Sequence, residues 1–229
     1  MKLKLLGNAT QDWIGDTKFI EKRPGGVHTI RKHLKVKHGF YPTEDSDVTI
    51  TIGPDGKKYS QWSTEFRDVG NKFSHSEWTH ISYLDMLDLD MDKVKESSDI
   101  ISADLCLEGH TEEQIETIAP MLEYLDWLIG STEELKDLAP LAPASCIIIE
   151  KTKKYIYMRD GDVLMRFDNR FIEVKNPIGA GDVWVAEFLN IMSVEEDPVI
   201  NTVFEACNEA SIRYLQKNGG VSLWTPSTT

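Results

Sequence analysis

Asn176-Pro177-Ile178-Gly179-Ala180-Gly181-Asp182, followed by the apolar run 183–192 (Val-Trp-Val-Ala-Glu-Phe-Leu-Asn-Ile-Met), decides how this chain is read. The run is apolar nearly all round, which predicts a buried helix rather than a surface one. Glycines at its start let the backbone turn tightly and approach a ligand without a Cβ in the way. The first N–H groups of such a helix lack intrahelical acceptors and lie at the positive end of its dipole, so they form a hole suited to a phosphoryl group. Asp182, in the first turn, then brings a carboxylate to the same point. An acid beside an anion hole is repelled unless it has a task, and taking a proton from an attacking hydroxyl is that task. A bare Gly-X-Gly-Asp is more often only a helix start with an N-terminal charge. The Asn-Pro lead-in and the buried helix beyond it make this one a longer pattern.

Outward from that stretch, strand-length apolar runs occur at 2–6, 79–84, 100–105, 125–129 and 146–149. Helical patterns separate several of them. Ile115, Ile118, Leu122 and Leu125 recur at helical spacing, with Pro120 expected to break or kink the helix. Ser131-Thr132-Glu133-Glu134 reads as a capping box. Short strands are expected at 155–158, 163–167 and 171–174, and a last helix at 201–217, ending at Asn218-Gly219-Gly220. Strands alternating with helices predict an α/β fold, a mainly parallel central sheet flanked by helices. Residues 47–52 alternate at period two, then Gly53-Pro54-Asp55-Gly56 turns into a strand at 58–63, which predicts a hairpin. The expectation is one α/β domain over 1–229, with a small accessory β-sheet, a lid, inserted at about 40–70.

The 229 residues carry 38 acidic and 25 basic side chains, a net charge of −13, and are 41% hydrophobic. That is enough apolar content for a core, and too acidic a surface for nucleic acid or an anionic membrane. No apolar run reaches the ~18 residues of a membrane span, and 1–6 is too short for a secretory signal. The three cysteines, Cys106, Cys146 and Cys207, are scattered in apolar stretches and read as buried free thiols of a reducing, cytoplasmic protein.

Residues 176–189 resemble the C-terminal signature of the ribokinase-like (PfkB-type) carbohydrate kinases, Asp-Thr-X-Gly-Ala-Gly-Asp before an apolar helix. The resemblance runs through most of the chain, as a shortened and divergent member with its contraction at 30–48. Gly7-Asn8-Ala9-Thr10-Gln11-Asp12 is similar to the opening strand and its substrate-contacting aspartate, and Pro24-Gly25-Gly26 to the glycine pair under the sugar. Residues 127–135 fall at an Asn-X-X-Glu element linked to magnesium, with Gly130 in place of the asparagine. Residues 207–210 and Gly219-Gly220 fall at the adenine pocket.

The resemblance implies a Rossmann-like ribokinase fold and transfer of phosphate from ATP to a hydroxyl of a small sugar or nucleoside-like acceptor. Asp182 would be the base, and Gly179, Ala180 and Gly181 the anion hole. Asp12, Gly25 and Gly26 would hold the acceptor, Glu133 would organise Mg²⁺ through water, and Asn208 with Gly219 and Gly220 would line the nucleotide pocket. The family's Thr-Leu-Gly-X-X-Gly is replaced by Ile149-Glu150-Lys151-Thr152-Lys153-Lys154. Lys151 could then supply charge to the nucleotide phosphates, although solvated loop lysines are the commoner case. The competing expectation is a catalytically impaired relative, acting as a ligand-binding or assembly protein.

Four weaker signals remain. Asp88-Leu89-Asp90-Met91-Asp92 has Lys93 where a calcium loop needs glycine, and reads better as an acidic helix start. His28, two residues after the glycine pair, is either a substrate contact or, more commonly, a half-exposed histidine. The basic segment 31–38 reads as a solvated face. Trp62, beside Tyr59 and Phe66 on the hairpin, suits closure over the acceptor or a homodimer contact.

Overall fold

Strands that are apolar on both faces need a helical layer on each side. A computed structural model shows that arrangement; it describes residues 1–15, 20–43, 46–52, 58–61, 67–69, 73–170, 172, 174 and 177–218. The N-terminal part contains β1 (Leu3–Gly7), β2 (Thr10–Gly15), β3 (Ile20–Pro24), α1 (Gly26–His33), β4 (His38–Pro42), β5 (Ser46–Ile52) and β6 (Lys58–Gln61). Two-residue strands β7 (Arg67–Asp68) and β9 (Leu87–Asp88) pair with each other around β8 (Ser76–Ser82). Then follow α2 (Met91–Glu96), β10 (Ser98–Asp104), α3 (Glu112–Leu122), β11 (Trp127–Ser131), α4 (Thr132–Leu135) and β12 (Ile147–Lys151). Antiparallel β13 (Tyr155–Asp160) and β14 (Val163–Asp168) precede α5 (Ala180–Met192) and α6 (Ile200–Asn218).

The central sheet has eight strands in the order β14-β13-β12-β11-β10-β8-β1-β4. From β4 to β12 every pair is parallel, and β12, β13 and β14 pair antiparallel at one edge. Adjacent residues face opposite cores, as period two requires. Leu5 and Ile129 lie in the layer with α1, α5 and α6, while Leu6 and Leu128 lie in the layer with α2, α3 and α4. The mainly parallel α/β sheet expected from the sequence is therefore present.

The hairpin strands β5 and β6 pair antiparallel, but they belong to a four-stranded sheet, order β3-β2-β5-β6. Its other two strands come from just after β1, where sequence reading saw no strand. The hairpin turn 53–57, Trp62 and Phe66 lie outside the described residues. The helix with Pro120 runs on to Leu122 before it ends. Both capping boxes, Thr111 with Gln114 and Ser131 with Glu134, are formed. Asp90 is the N-cap of α2 and accepts from Lys93 N–H at 3.3 Å, which bears out the helix-start reading of that acidic run. No helix among the described residues is long and apolar enough to cross a membrane, and the three cysteines are buried.

What fixes α5 matters most for the site. Trp184 stacks on Phe188 (centroids 5.7 Å, 12°), and Phe188 meets Trp78 edge-on at 6.3 Å, anchoring the helix to the sheet. Trp184 Nε1–H donates to Asn208 Oδ1 (3.0 Å), tying α5 to α6. Asn190 closes the other end: its Oδ1 accepts from Lys35 N–H (2.7 Å) and its Nδ2–H donates to the His33 carbonyl (3.1 Å). These bonds hold α1 against α5, so the glycine pair at the start of α1 and the Gly179–Asp182 turn keep a fixed relation.

Candidate active site

The C-terminal ends of the parallel strands converge on a cavity of about 150 Å³, lined among others by Asp12, Tyr83, Asp104, Lys151, Gly179 and Asp182. In open α/β sheets this is where ligands bind. Gly179 is the N-cap of α5 with φ +86°, a conformation a side chain resists, and a Cβ there would lie 2.5 Å from Tyr214 Oη. Gly181 differs: its backbone is not left-handed, it lines the cavity, and a Cβ added there would meet nothing within 4 Å among the described residues. Gly181 is exposed, and the space beside it is open. Val183 N–H is bonded to the Gly179 carbonyl (3.1 Å), so the N–H groups of Gly181 and Asp182 come ahead of the helix's own ladder. Ala180 lies in the same turn; its N–H donates to the Pro177 carbonyl (3.3 Å) and its carbonyl accepts from Ser211 Oγ (2.9 Å).

Asp182 is buried, only 7% exposed. Its Oδ1 accepts a hydrogen bond from the Tyr83 hydroxyl at 3.0 Å. Asp12, also buried, lines the same cavity, and its Oδ1 accepts from Thr10 Oγ1 (2.8 Å). Its carboxylate packs directly on Gly25, where any Cβ would collide with it. Gly26 has φ +48°, and a Cβ there would come within 2.8 Å of the Asn8 carbonyl and of the Tyr83 ring. The glycine pair is thus required by close approach of the groups that line the cavity.

Asp104, at the end of β10, accepts from Tyr83 N–H (2.7 Å). Burial, and then the charge of Asp182, push its carboxyl well above the usual range. His80, fully buried, is pushed down to about 3 by burial and then by the Lys151 charge. Its Nε2 is 3.9 Å from Asp104 Oδ1, and with the imidazole held neutral by burial the two are not an ion pair. The Tyr83 phenol is pushed well above its usual range, chiefly by burial, so it stays protonated and donates. Lys151 lines the cavity with its Nζ 4.9 Å from the Trp184 ring centroid, a cation held in place by an aromatic face.

The structure thus gathers Asp12, Gly179, Gly181, Asp182 and Lys151 on one cavity, with Gly25 and Gly26 behind its wall. His28 is elsewhere: it faces Phe40 (centroids 5.8 Å) and lines a separate groove of about 560 Å³ between α1, α5 and α6. Two residues past Gly26 on a helix is about 200° round its axis, which carries His28 away from the glycine pair. Glu133 is exposed, while Glu134 lines the cavity, its Oε2 accepting from Ser131 N–H at 2.7 Å. The capping box turns the second glutamate inward. Asn208 is buried, its Oδ1 engaged by Trp184 and its Nδ2 without a partner among the described residues. Asn176, Gly219 and Gly220 lie outside the described residues. Tyr83, Asp104 and Glu134 were not picked out as site residues from sequence. The signal that finds them is position, since Tyr83 follows β8, Asp104 ends β10 and Glu134 follows β11.

No protein-family model and no curated protein matches the sequence. Solved structures match in fold. An uncharacterized sugar kinase from Pyrococcus horikoshii, in complex with ATP, aligns at TM-score 0.75 and 16% identity over 95% of this chain and 93% of that one. Fructokinase from Vibrio cholerae O395, with fructose, ADP and calcium ion bound, aligns at 0.67 and 16% over 92% and 90%. A sulfate complex of a pyrophosphate-dependent kinase in the ribokinase family aligns at 0.65 and 14% over 96% of both chains. Identities this low speak for the architecture, and the chain has the ribokinase-like α/β fold that its motifs implied.

Proposed function

We propose that the protein is a carbohydrate kinase, transferring a phosphoryl group from Mg·ATP to a hydroxyl of a small sugar-like or nucleoside-like acceptor. The observation that carries this reading is Asp182, buried in the first turn of α5 beside a cavity-lining glycine whose Cβ position is open space. The fold's neighbours, named as sugar kinases and fructokinase, support it.

In this reading the acceptor rests on Asp12 and the backbone at Gly25 and Gly26, with one hydroxyl facing Asp182. The Asp182 carboxylate takes the hydroxyl proton as the oxygen attacks phosphorus. The Gly181 and Asp182 N–H groups receive the oxygens of the transferred group at the positive end of α5. Lys151 offsets donor phosphate charge. Burial, by pushing the Asp104 carboxyl upward, favours its neutral form in a cavity that must admit an anion. Among the described residues no group of three His, Cys, Asp or Glu side chains could cage a metal ion. That fits Mg²⁺ that arrives with the donor and keeps waters, with Glu134 the cavity carboxylate nearest in kind to a water-mediated partner. When bound, the ion supplies charge neutralisation across the donor phosphates.

The test is product release from Mg·ATP across a panel of sugars, inositols and nucleosides, with pyrophosphate as a second donor. Acceptor-dependent ADP release is the expected result. Release from pyrophosphate alone would correct the donor. Donor binding without release from any acceptor would favour the competing reading, an impaired kinase-fold protein that binds ligands.

A further inference from the structure

Tyr83 is the sole non-glycine residue among those described with a positive φ (φ 63°, ψ 54°). A left-handed tyrosine is sterically unfavourable and persists only where its surroundings hold it. Here the surroundings are the site. Its N–H is bonded to Asp104 Oδ1 (2.7 Å), its hydroxyl to Asp182 Oδ1 (3.0 Å), and its ring closes on the space a Gly26 side chain would need. One half-buried residue therefore touches three elements of the site that are far apart in sequence.

We propose that Tyr83 is a positioning residue: its hydroxyl orients the Asp182 carboxylate while its ring rests on Gly26, so one side chain sets the base relative to the acceptor's seat. This rests on the reading of Asp182 as the base. A tyrosine needed only to fill the core would be served by phenylalanine in an ordinary backbone conformation. The bond to Asp182 requires the hydroxyl, and the left-handed turn is what brings it there from the end of β8. The hydroxyl does not itself take the acceptor's proton, since a protonated phenol can only donate to the carboxylate.

The test is Tyr83→Phe, which keeps the ring. The Asp182 carboxyl is followed by carbon-13 NMR titration, assigned with Asp182→Asn, and kcat, acceptor KM and the pH profile are measured in parallel. A hydrogen bond to an ionised carboxylate favours the charged form, so its loss should move the titration and the acidic limb of kcat up by about one pH unit, a tenfold change in protonation. We expect kcat to fall about 10- to 100-fold with acceptor KM within about threefold. An unchanged titration and unchanged kcat in a folded variant overturn the proposal. A change confined to KM also overturns it, by assigning Tyr83 to acceptor binding. If the titration moves but the wild type turns over no acceptor, the Tyr83–Asp182 link stands and the kinase reading fails. Should Tyr83→Phe not fold, Tyr83→Asn, whose residue tolerates the left-handed conformation, gives the same readouts.

Discussion

Gly181→Ala separates a glycine kept for the fold from one kept for a ligand. Gly181 is the second residue of α5, its φ is not in the left-handed region, and its Cβ would meet no atom of the described residues within 4 Å. Alanine has the higher helix propensity, so the variant should gain about 0.5–1 kcal/mol of stability. For a chain of 229 residues that raises Tm by roughly 1–4 °C. Gly181 lines the cavity of about 150 Å³, so in the proposed reading the same methyl crowds the mouth of the α5 N–H groups. A phosphoryl group displaced by about 1 Å there should cost on the order of 100-fold in kcat/KM, equivalent to about 2.7 kcal/mol of transition-state stabilisation. Thermal unfolding and steady-state kinetics on one preparation read both effects. Gly179→Ala is the contrast, since φ +86° and the Tyr214 hydroxyl at 2.5 Å make it destabilising, by about 1–2 kcal/mol from the backbone alone. A Gly181→Ala protein that melts lower, or melts higher with full turnover, would refute the assignment of this turn as an anion hole.

Gly25→Ala should force the Asp12 carboxylate off its seat, raising acceptor KM more than donor KM in two-substrate kinetics. Lys151→Met keeps the chain's length and the Trp184 contact but removes the charge. It should raise the KM for Mg·ATP about tenfold and leave acceptor KM unchanged, on the order of one charge-assisted contact. His80 makes stability fall on acidification. Its folded value of about 3 lies below the unfolded 6.5, so between these limits the unfolded chain binds the extra proton. Going from pH 7 to pH 5 should cost about 2 kcal/mol from this group. Denaturant midpoints of wild type and His80→Gln across that range should converge as the pH drops, and parallel curves would exclude His80 as the cause.

Much of the fold is legible because burial on both faces of a parallel strand leaves apolar runs that need no partner to be recognised, such as Ile147–Lys151 after Cys146. The strands β2, β3 and β4 are not legible in this way. Gln11, Asp12, Lys22 and Arg23 interrupt any apolar pattern, and His38–Pro42 is half-buried at the sheet edge. The Gly179–Asp182 turn was readable because its chemistry is local, glycine conformation plus a helix start. Tyr83 and Asp104 were not, because their roles arise from contacts across 99 and 21 residues of sequence. Helical phase decides the near misses: His28 and Glu133 stand within a few residues of the right place and point around the axis from it.

The most direct test of the kinase reading is acceptor-dependent ADP release by wild type and Asp182→Asn side by side, with donor affinity measured for both. Asparagine preserves the shape in the first turn of α5 and cannot take the proton. The expected result is turnover in the wild type that falls by about 10²- to 10⁴-fold in the variant, with Mg·ATP affinity retained. Equal turnover in the two proteins would contradict Asp182 as the base, and with it the account of this site.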